Sequence, residues 1–301
     1  MMMEMVQFLG LDCLQLKNNT LELLITQSVG PRILSLRLQD GENLFAELPD
    51  MQLEHPEGGV LNLWGGHRLW HAPEVKRRTY LPDNDTLTVV EIDRGVEVVQ
   101  PTEIKTGIKK SLRVTLPDET GRVIIDHTLK NEGAWPVTLA PWAITQLKPG
   151  GFGILPQPTN LADPDGVLAN RRLAIWPYTD MNSPHIQWGN KFIFVDATMT
   201  GDQALKLGFP NPIGWLAYYI DQTVFIKESN YDPQAEYFDF GSSSECYCRP
   251  EFIELETLGP KVTLAPDEAV THRETWQVID KVKLEMNDMS AENYFIQLQN
   301  N

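Results

Sequence analysis

Long apolar runs are missing from this 301-residue sequence. No stretch approaches the roughly 18 apolar residues that a membrane helix needs, so nothing reads as a span. Cysteine is scarce. Cys13, Cys246 and Cys248 are an odd number in a large chain, which fits a reducing compartment better than a disulfide framework. A cytoplasmic location is therefore expected. Positive charge is short: 25 Lys and Arg against 41 Asp and Glu leave a formal net charge of −16. That balance disfavours a nucleic-acid backbone or an anionic membrane as partner. The opening MMMEMVQFLG has no basic region, apolar core or small-residue cleavage site, so no signal peptide is expected. No Gly-rich phosphate loop, nucleophile elbow or multi-Cys metal spacing occurs, and neither cofactor nor metal is expected. Helix signals are few; the clearest is SAENYFIQLQ (290–299), with Ser290 as N-cap.

Strand signals fill most of the remainder. TLELLITQ (20–27) and PRILSLRLQ (31–39) flank a Val-Gly turn. Further candidates are 86–92, 95–100, 108–116, 122–131, 135–147, 191–197, 215–220, 223–229, 246–258, 262–265 and 269–279. Many strands joined by short turns predict an all-β fold, a large antiparallel sandwich with few short helices. Residues 148–190 are Pro-rich and weakly periodic and read as a long functional or edge-wrapping loop. No repeat or linker interrupts the chain, so 1–301 reads as a single domain.

WGGHRLWHAP (64–73) concentrates scarce residues. His67 and His71 exchange protons near neutral pH, and Arg68 grips a carboxylate, a phosphate or paired hydroxyls. Trp64 and Trp70 offer flat faces suited to the C–H side of a sugar ring. A buried aromatic loop with structurally bonded His explains the same composition equally well. The KRR run at 76–78 reads as a solvated basic patch. In EFIELETL (251–258), strand alternation puts Glu254 and Glu256 on one face and Ile253 and Leu255 on the other. Two carboxylates at that spacing suit proton transfer or form an exposed acidic stripe. His127 and His272 read as core residues, His55 and His185 as surface ones, and Cys246 and Cys248 as free thiols on one face.

Four segments in chain order resemble the galactose mutarotase-like superfamily, the aldose 1-epimerases and their relatives. They are 20–47, LNLWGGHRLWHAPE (61–74), DHTLKNEGAWPVTLAPWAITQL (126–147) and ELETLGPKVTLAPDEAVTHRETWQV (254–278). The phrases GGHRLWHAPE and LETLGP are most similar to a branch of undefined function. The resemblance implies a β-supersandwich with a sugar cleft on a concave face and a small-molecule carbohydrate as partner. It implies a Glu that takes the anomeric proton, matched by Glu256 with Glu254 beside it, and a sugar-binding Arg, matched by Arg68. The family's acid His is missing, because its place reads Ala140-Pro141-Trp142. His71 or His67 would then supply the acid, and Trp142 would stack on the ring. A non-catalytic sugar binder, or a lyase or hydrolase on the same scaffold, stands as the alternative.

Overall fold

The computed structural model describes residues 2–39, 41–117 and 121–299. The chain opens with a meander of β1 (Met2–Phe8), β2 (Leu11–Lys17), β3 (Leu21–Thr26) and β4 (Arg32–Leu38). Next come β5 (Glu47–Glu54), the long β6 (Val60–Ala72) and the one-turn helix α1 (Lys76–Thr79). A second meander follows: β7 (Thr88–Ile92), β8 (Gly95–Val99), β9 (Ile108–Thr115) and β10 (Arg122–Asn131). Then come β11 (Val137–Leu147), β12 (Phe152–Pro156), β13 (Ala174–Ile175), β14 (Ile186–Trp188), β15 (Phe192–Asp196) and β16 (Leu205–Phe209). The last part holds β17 (Trp215–Ile220), β18 (Thr223–Ser229), α2 (Phe238–Gly241), β19 (Ser244–Arg249) and β20 (Phe252–Leu258). It ends with β21 (Val262–Leu264), β22 (Ala269–Ile279) and α3 (Asp288–Gln299).

Two antiparallel sheets result. A 12-stranded sheet runs β1-β2-β3-β4-β6-β11-β20-β19-β16-β13, with β5 added to β6 and β21 to β11. A 10-stranded sheet runs β14-β15-β12-β17-β18-β22-β10-β9-β8-β7. Their facing side chains form one large core, with Ile25, Ile33, Leu69 and Leu255 from the first sheet against Leu112, Ile125, Phe225 and Trp276 from the second. Burial of apolar area at this seam is the main source of stability, about 25 cal/mol per Å². Helix α3 covers the outer face of the 10-stranded sheet, seating Ala291 and Phe295 against Phe192, Phe194 and Ile226. Asn287, rather than Ser290, caps it: the Asn287 Oδ1 accepts from the Ser290 N–H at 2.9 Å. No helix among the described residues is long and apolar enough to cross a membrane.

One expectation changes at the level of local structure. Residues 64–72 belong to β6 and are not a loop. Their double glycine has a backbone reason. Trp64, Gly65 and Gly66 all have positive φ, at 58°, 86° and 68°. A Cβ on Gly65 would lie 1.8 Å from the Ala46 carbonyl oxygen, and one on Gly66 would lie 2.2 Å from that of Ile33. Here β6 leaves β5 and joins β4 and β11, and only glycine allows the three backbones so close. The irregularity also shifts the pleat. Leu61 and Leu63 pack in an outer cluster with Trp70 and Ala72, whereas Leu69 enters the core. Odd positions face outward before the glycines and even positions after them.

Candidate functional site

That shift decides which side chains of 64–73 reach the surface. Arg68 and Trp70 turn outward, while His67, Leu69 and His71 turn into the sandwich. On β11, Trp142, Ile144 and Gln146 share the outer face, and on β20 Glu254 and Glu256 do, as their alternation requires. The pairing registers bring these positions into line. Arg68 lies across from Ile144, Ile144 from Glu256, and Glu256 from Glu245 on β19. The next row runs Gln146, Glu254, Tyr247 and Lys206.

A cavity of about 550 Å³ opens over these rows. Its polar lining includes Arg68, Gln146, Glu254, Lys206, Glu74 and Arg249. Trp70, Trp142, Trp176, Tyr80, Tyr178, Tyr247 and Phe252 supply aromatic surface, which is the composition of a small-molecule site.

Glu254 carries the most informative contacts. Its Oε1 accepts from the Arg68 Nη2–H at 3.1 Å and from the Gln146 Nε2–H at 2.9 Å. Both donors converge on Oε1, which leaves Oε2 for a ligand proton. Burial pushes the Glu254 carboxyl up to about 7, against the pull of Arg68, so it exchanges protons near neutrality. The Arg68 guanidinium lies over Trp70, its Cζ 4.3 Å from the ring centroid. Its Nε and Nη1 are buried without a partner, and so is the Gln146 Oε1. Buried orphan polar atoms are rare and cost about 1–3 kcal/mol each, so a ligand that completes them is favoured.

Glu256 is built differently. It is 0% exposed, against 7% for Glu254, and does not line the cavity. The Trp142 Nε1–H donates to its Oε2 at 2.6 Å, and the Lys206 Nζ donates to the same oxygen at 2.9 Å. Burial alone would raise this carboxyl, but Lys206 and these hydrogen bonds hold it below the ordinary value. Lys206 also sits 2.7 Å from Glu245, whose own carboxyl burial pushes far up. The lysine ammonium is sandwiched 4.8 Å from the Trp142 and Trp176 rings. Glu256 thus anchors a buried ion cluster under the floor, and Glu254 is the glutamate of β20 that reaches the cavity, a difference in depth that alternation alone does not reveal.

The histidines are corrected as well. The His67 Nε2 meets the His127 Nε2 at 2.7 Å, and its Nδ1 meets the Thr145 Oγ1 at 2.9 Å. The His127 Nδ1–H donates to the His272 carbonyl at 3.0 Å, so its Nε2 accepts, and His67 must carry its proton on Nε2. Thr145 accepts in turn from the Lys227 Nζ at 3.0 Å, and Lys227 pairs with Glu274 at 3.0 Å. Burial keeps both His67 and His127 neutral. This network ties the two sheets together beneath the cavity. His67, His127 and Glu274 also hold ligand atoms within 4.8 Å of one another. Each of those atoms already has a hydrogen bond or ion-pair partner, and Lys227 already neutralises the carboxylate, so the trio reads as structural.

His71 is buried beside Glu103 at 3.9 Å, and Glu103 pairs with Lys110 at 2.5 Å. It faces the sandwich interior, not the cavity. Trp64 packs against Cys13, Leu24 and Leu34 near β1 and β2 and is likewise outside the lining. Arg68, Trp142 and Glu254 line the cavity together. Lys76 and Arg77 are exposed, as expected of a solvated patch, but Arg78 is half-buried and its Nη2–H donates to the Pro73 carbonyl at 3.2 Å; the buried Cys246 and Cys248 are free. His55, expected at the surface, is buried, with its Nε2 3.0 Å from the Arg77 carbonyl. Lys206, Trp176, Tyr178 and Tyr247 were missed. Only the fold brings them from β16, β19 and the turn after β13 to one hollow, and none lies in a distinctive motif.

No protein-family model and no curated protein matches this sequence. Solved structures do match. A TPR-domain-containing protein from Parabacteroides distasonis aligns with TM-score 0.60 at 12% identity, over 92% of this chain and 48% of that one. This chain therefore spans about half of that protein. A galactose mutarotase related enzyme from Lactobacillus acidophilus aligns with TM-score 0.56 at 10% identity, over 90% and 98% of the two chains. A galactose mutarotase-like protein from Lactobacillus casei aligns with TM-score 0.51 at 11% identity, over 89% and 100%.

The fold is that of the galactose mutarotase-like proteins. The resemblance noted in the sequence therefore holds at the level of architecture. Within the galactose mutarotase-like sandwich of this chain, the cavity lies on the outer face of the 12-stranded sheet, where β6, β11, β20, β19 and β16 run side by side.

Proposed function

We propose that the cavity binds an aldose and that Glu254 moves its anomeric proton, interconverting the two anomers. The observation that carries this reading is the Arg68–Glu254 pair in the cavity. It combines a carboxyl exchanging protons near pH 7 with guanidinium N–H groups that have no protein partner. Two structural neighbours named for galactose mutarotase support the class.

In this reading the Glu254 Oε2 takes the proton of the anomeric hydroxyl. The C1–O1 bond becomes a carbonyl as the C1 to ring-oxygen bond breaks, and the ring oxygen takes a proton from water in the open cleft. The aldehyde turns about C1–C2 and the steps reverse on its other face. Arg68 Nε and Nη1 bind sugar hydroxyls, and Trp142 and Trp70 cover the apolar ring face. The test is polarimetry of freshly dissolved aldose anomers, with acceleration expected from the wild type and none from Glu254→Gln.

One observation favours a second reading, a sugar-binding protein without turnover. Among the described residues no histidine lines the cavity, so the ring oxygen has no imidazolium donor there. Saturable quenching of Trp fluorescence by a sugar that the protein does not mutarotate would select it.

A further inference from the structure

The cavity is wider than one pyranose needs. Its lining reaches across five adjacent strands, β6, β11, β20, β19 and β16. At about 4.8 Å per strand that is about 19 Å, several ring widths. Glu254 stands on the middle strand, so surface extends to both sides of the proton-transferring group. The two sides differ. Toward β5 the wall is mixed, with Met51, Leu53 and Leu63 beside Trp70 and Tyr80, which pack against each other at 5.7 Å. Toward β13 it is aromatic and polar-tipped. Tyr178 and Tyr247 meet edge-on at 6.2 Å, Tyr247 and Phe252 pack at 5.8 Å, and Trp176 is fixed by Lys206. Tyr178 is nonetheless 50% exposed. An aromatic wall braced from behind and open in front has the form of a stacking platform, with hydroxyl tips for a sugar's polar edge.

We infer that the ligand is an oligosaccharide or glycosylated aldose: its reducing ring lies over Glu254 and its second ring stacks on the Trp176–Tyr178–Tyr247 wall. This rests on the reading of Glu254 and Arg68 as the sugar-reactive pair. A free monosaccharide leaves the wall uncovered and binds more weakly.

The experiment is calorimetric titration with matched sugars: glucose, maltose, cellobiose and maltotriose, then galactose and lactose. In at least one series the disaccharide should bind at least about fivefold more tightly than its monosaccharide, with little gain from a third ring. Tyr178→Ala, at a half-exposed position, should bring that ratio close to 1, and Trp176→Phe should keep most of it. Equal affinity for mono- and disaccharide in the wild type overturns this inference and leaves the proposed function standing. So does a ratio that Tyr178→Ala does not change. Absence of binding by every sugar overturns both.

Discussion

Arg68 and Glu254 stand 186 positions apart in the chain and meet at 3.1 Å, each on an outward position of its strand. Their contact joins the first half of the 12-stranded sheet to its second half at β6, β11 and β20. Gln146, on the strand between them, donates to the same carboxylate oxygen. The pair also separates the two glutamates of β20 into different jobs.

Glu254→Gln should abolish proton transfer yet fold normally, because an amide retains one acceptor oxygen for Arg68 and Gln146. Denaturation midpoints within about 1 kcal/mol of wild type are expected, together with loss of mutarotation. A variant that keeps full activity would exclude Glu254 as the base.

Lys206→Met tests the ion cluster. It leaves the Glu256 carboxylate buried with only the Trp142 N–H to balance it, and Glu245 beside it. Removing one member of a buried ion pair costs about 3–5 kcal/mol, which urea denaturation would resolve. A loss below about 1 kcal/mol would mean that the cluster contributes little.

Gly66→Ala tests the pleat shift. The new methyl would meet the Ile33 carbonyl at 2.2 Å, at a φ of +68° that L side chains rarely adopt. A loss of about 3 kcal/mol or more is expected, with poor soluble yield. A variant as stable as wild type would show that β6 does not need this geometry.

The interior histidines set an acid limit. Burial holds His272 down to about 3, with His127 and Lys227 adding to the effect, whereas the unfolded ring titrates near 6.5. Between those values the unfolded chain binds the extra proton, so stability falls as pH drops through that window. At pH 5 this ring alone costs about 2 kcal/mol. Glu254 has the opposite sign. Its raised carboxyl favours the folded state below about 4.5, and that contribution disappears as pH rises to about 7. Denaturation at pH 7 and pH 5 should show a smaller loss for His272→Asn than for wild type. Equal losses would assign the titration to other groups.

Much of the sandwich was legible. Residues 122–131, 215–220, 223–229 and 269–279 match β10, β17, β18 and β22 residue for residue, because alternation and flanking turns agree there. The segment 246–258 proved to be two strands around a turn, β19 and β20. β16 and the strands inside 148–190 are short and weakly patterned, so their pairing comes from partners distant in sequence. The cavity lining was legible in part. Arg68, Trp142 and Glu254 carried visible chemistry. The inward turn of His67 was not visible, since two left-handed glycines shift the alternation by one residue and no hydrophobic pattern reports it. Burial depth, which separates Glu254 from Glu256, likewise depends on Lys206, far away in the chain.

The most direct measurement is the polarimetric relaxation of freshly dissolved aldose anomers between pH 6 and 8, for wild type and Glu254→Gln. Acceleration that grows with pH along a single ionisation near 7, and is absent in the variant, is the expected result. Acceleration that persists in Glu254→Gln, or none for any sugar that binds, would contradict the assignment of Glu254 as the group that takes the anomeric proton.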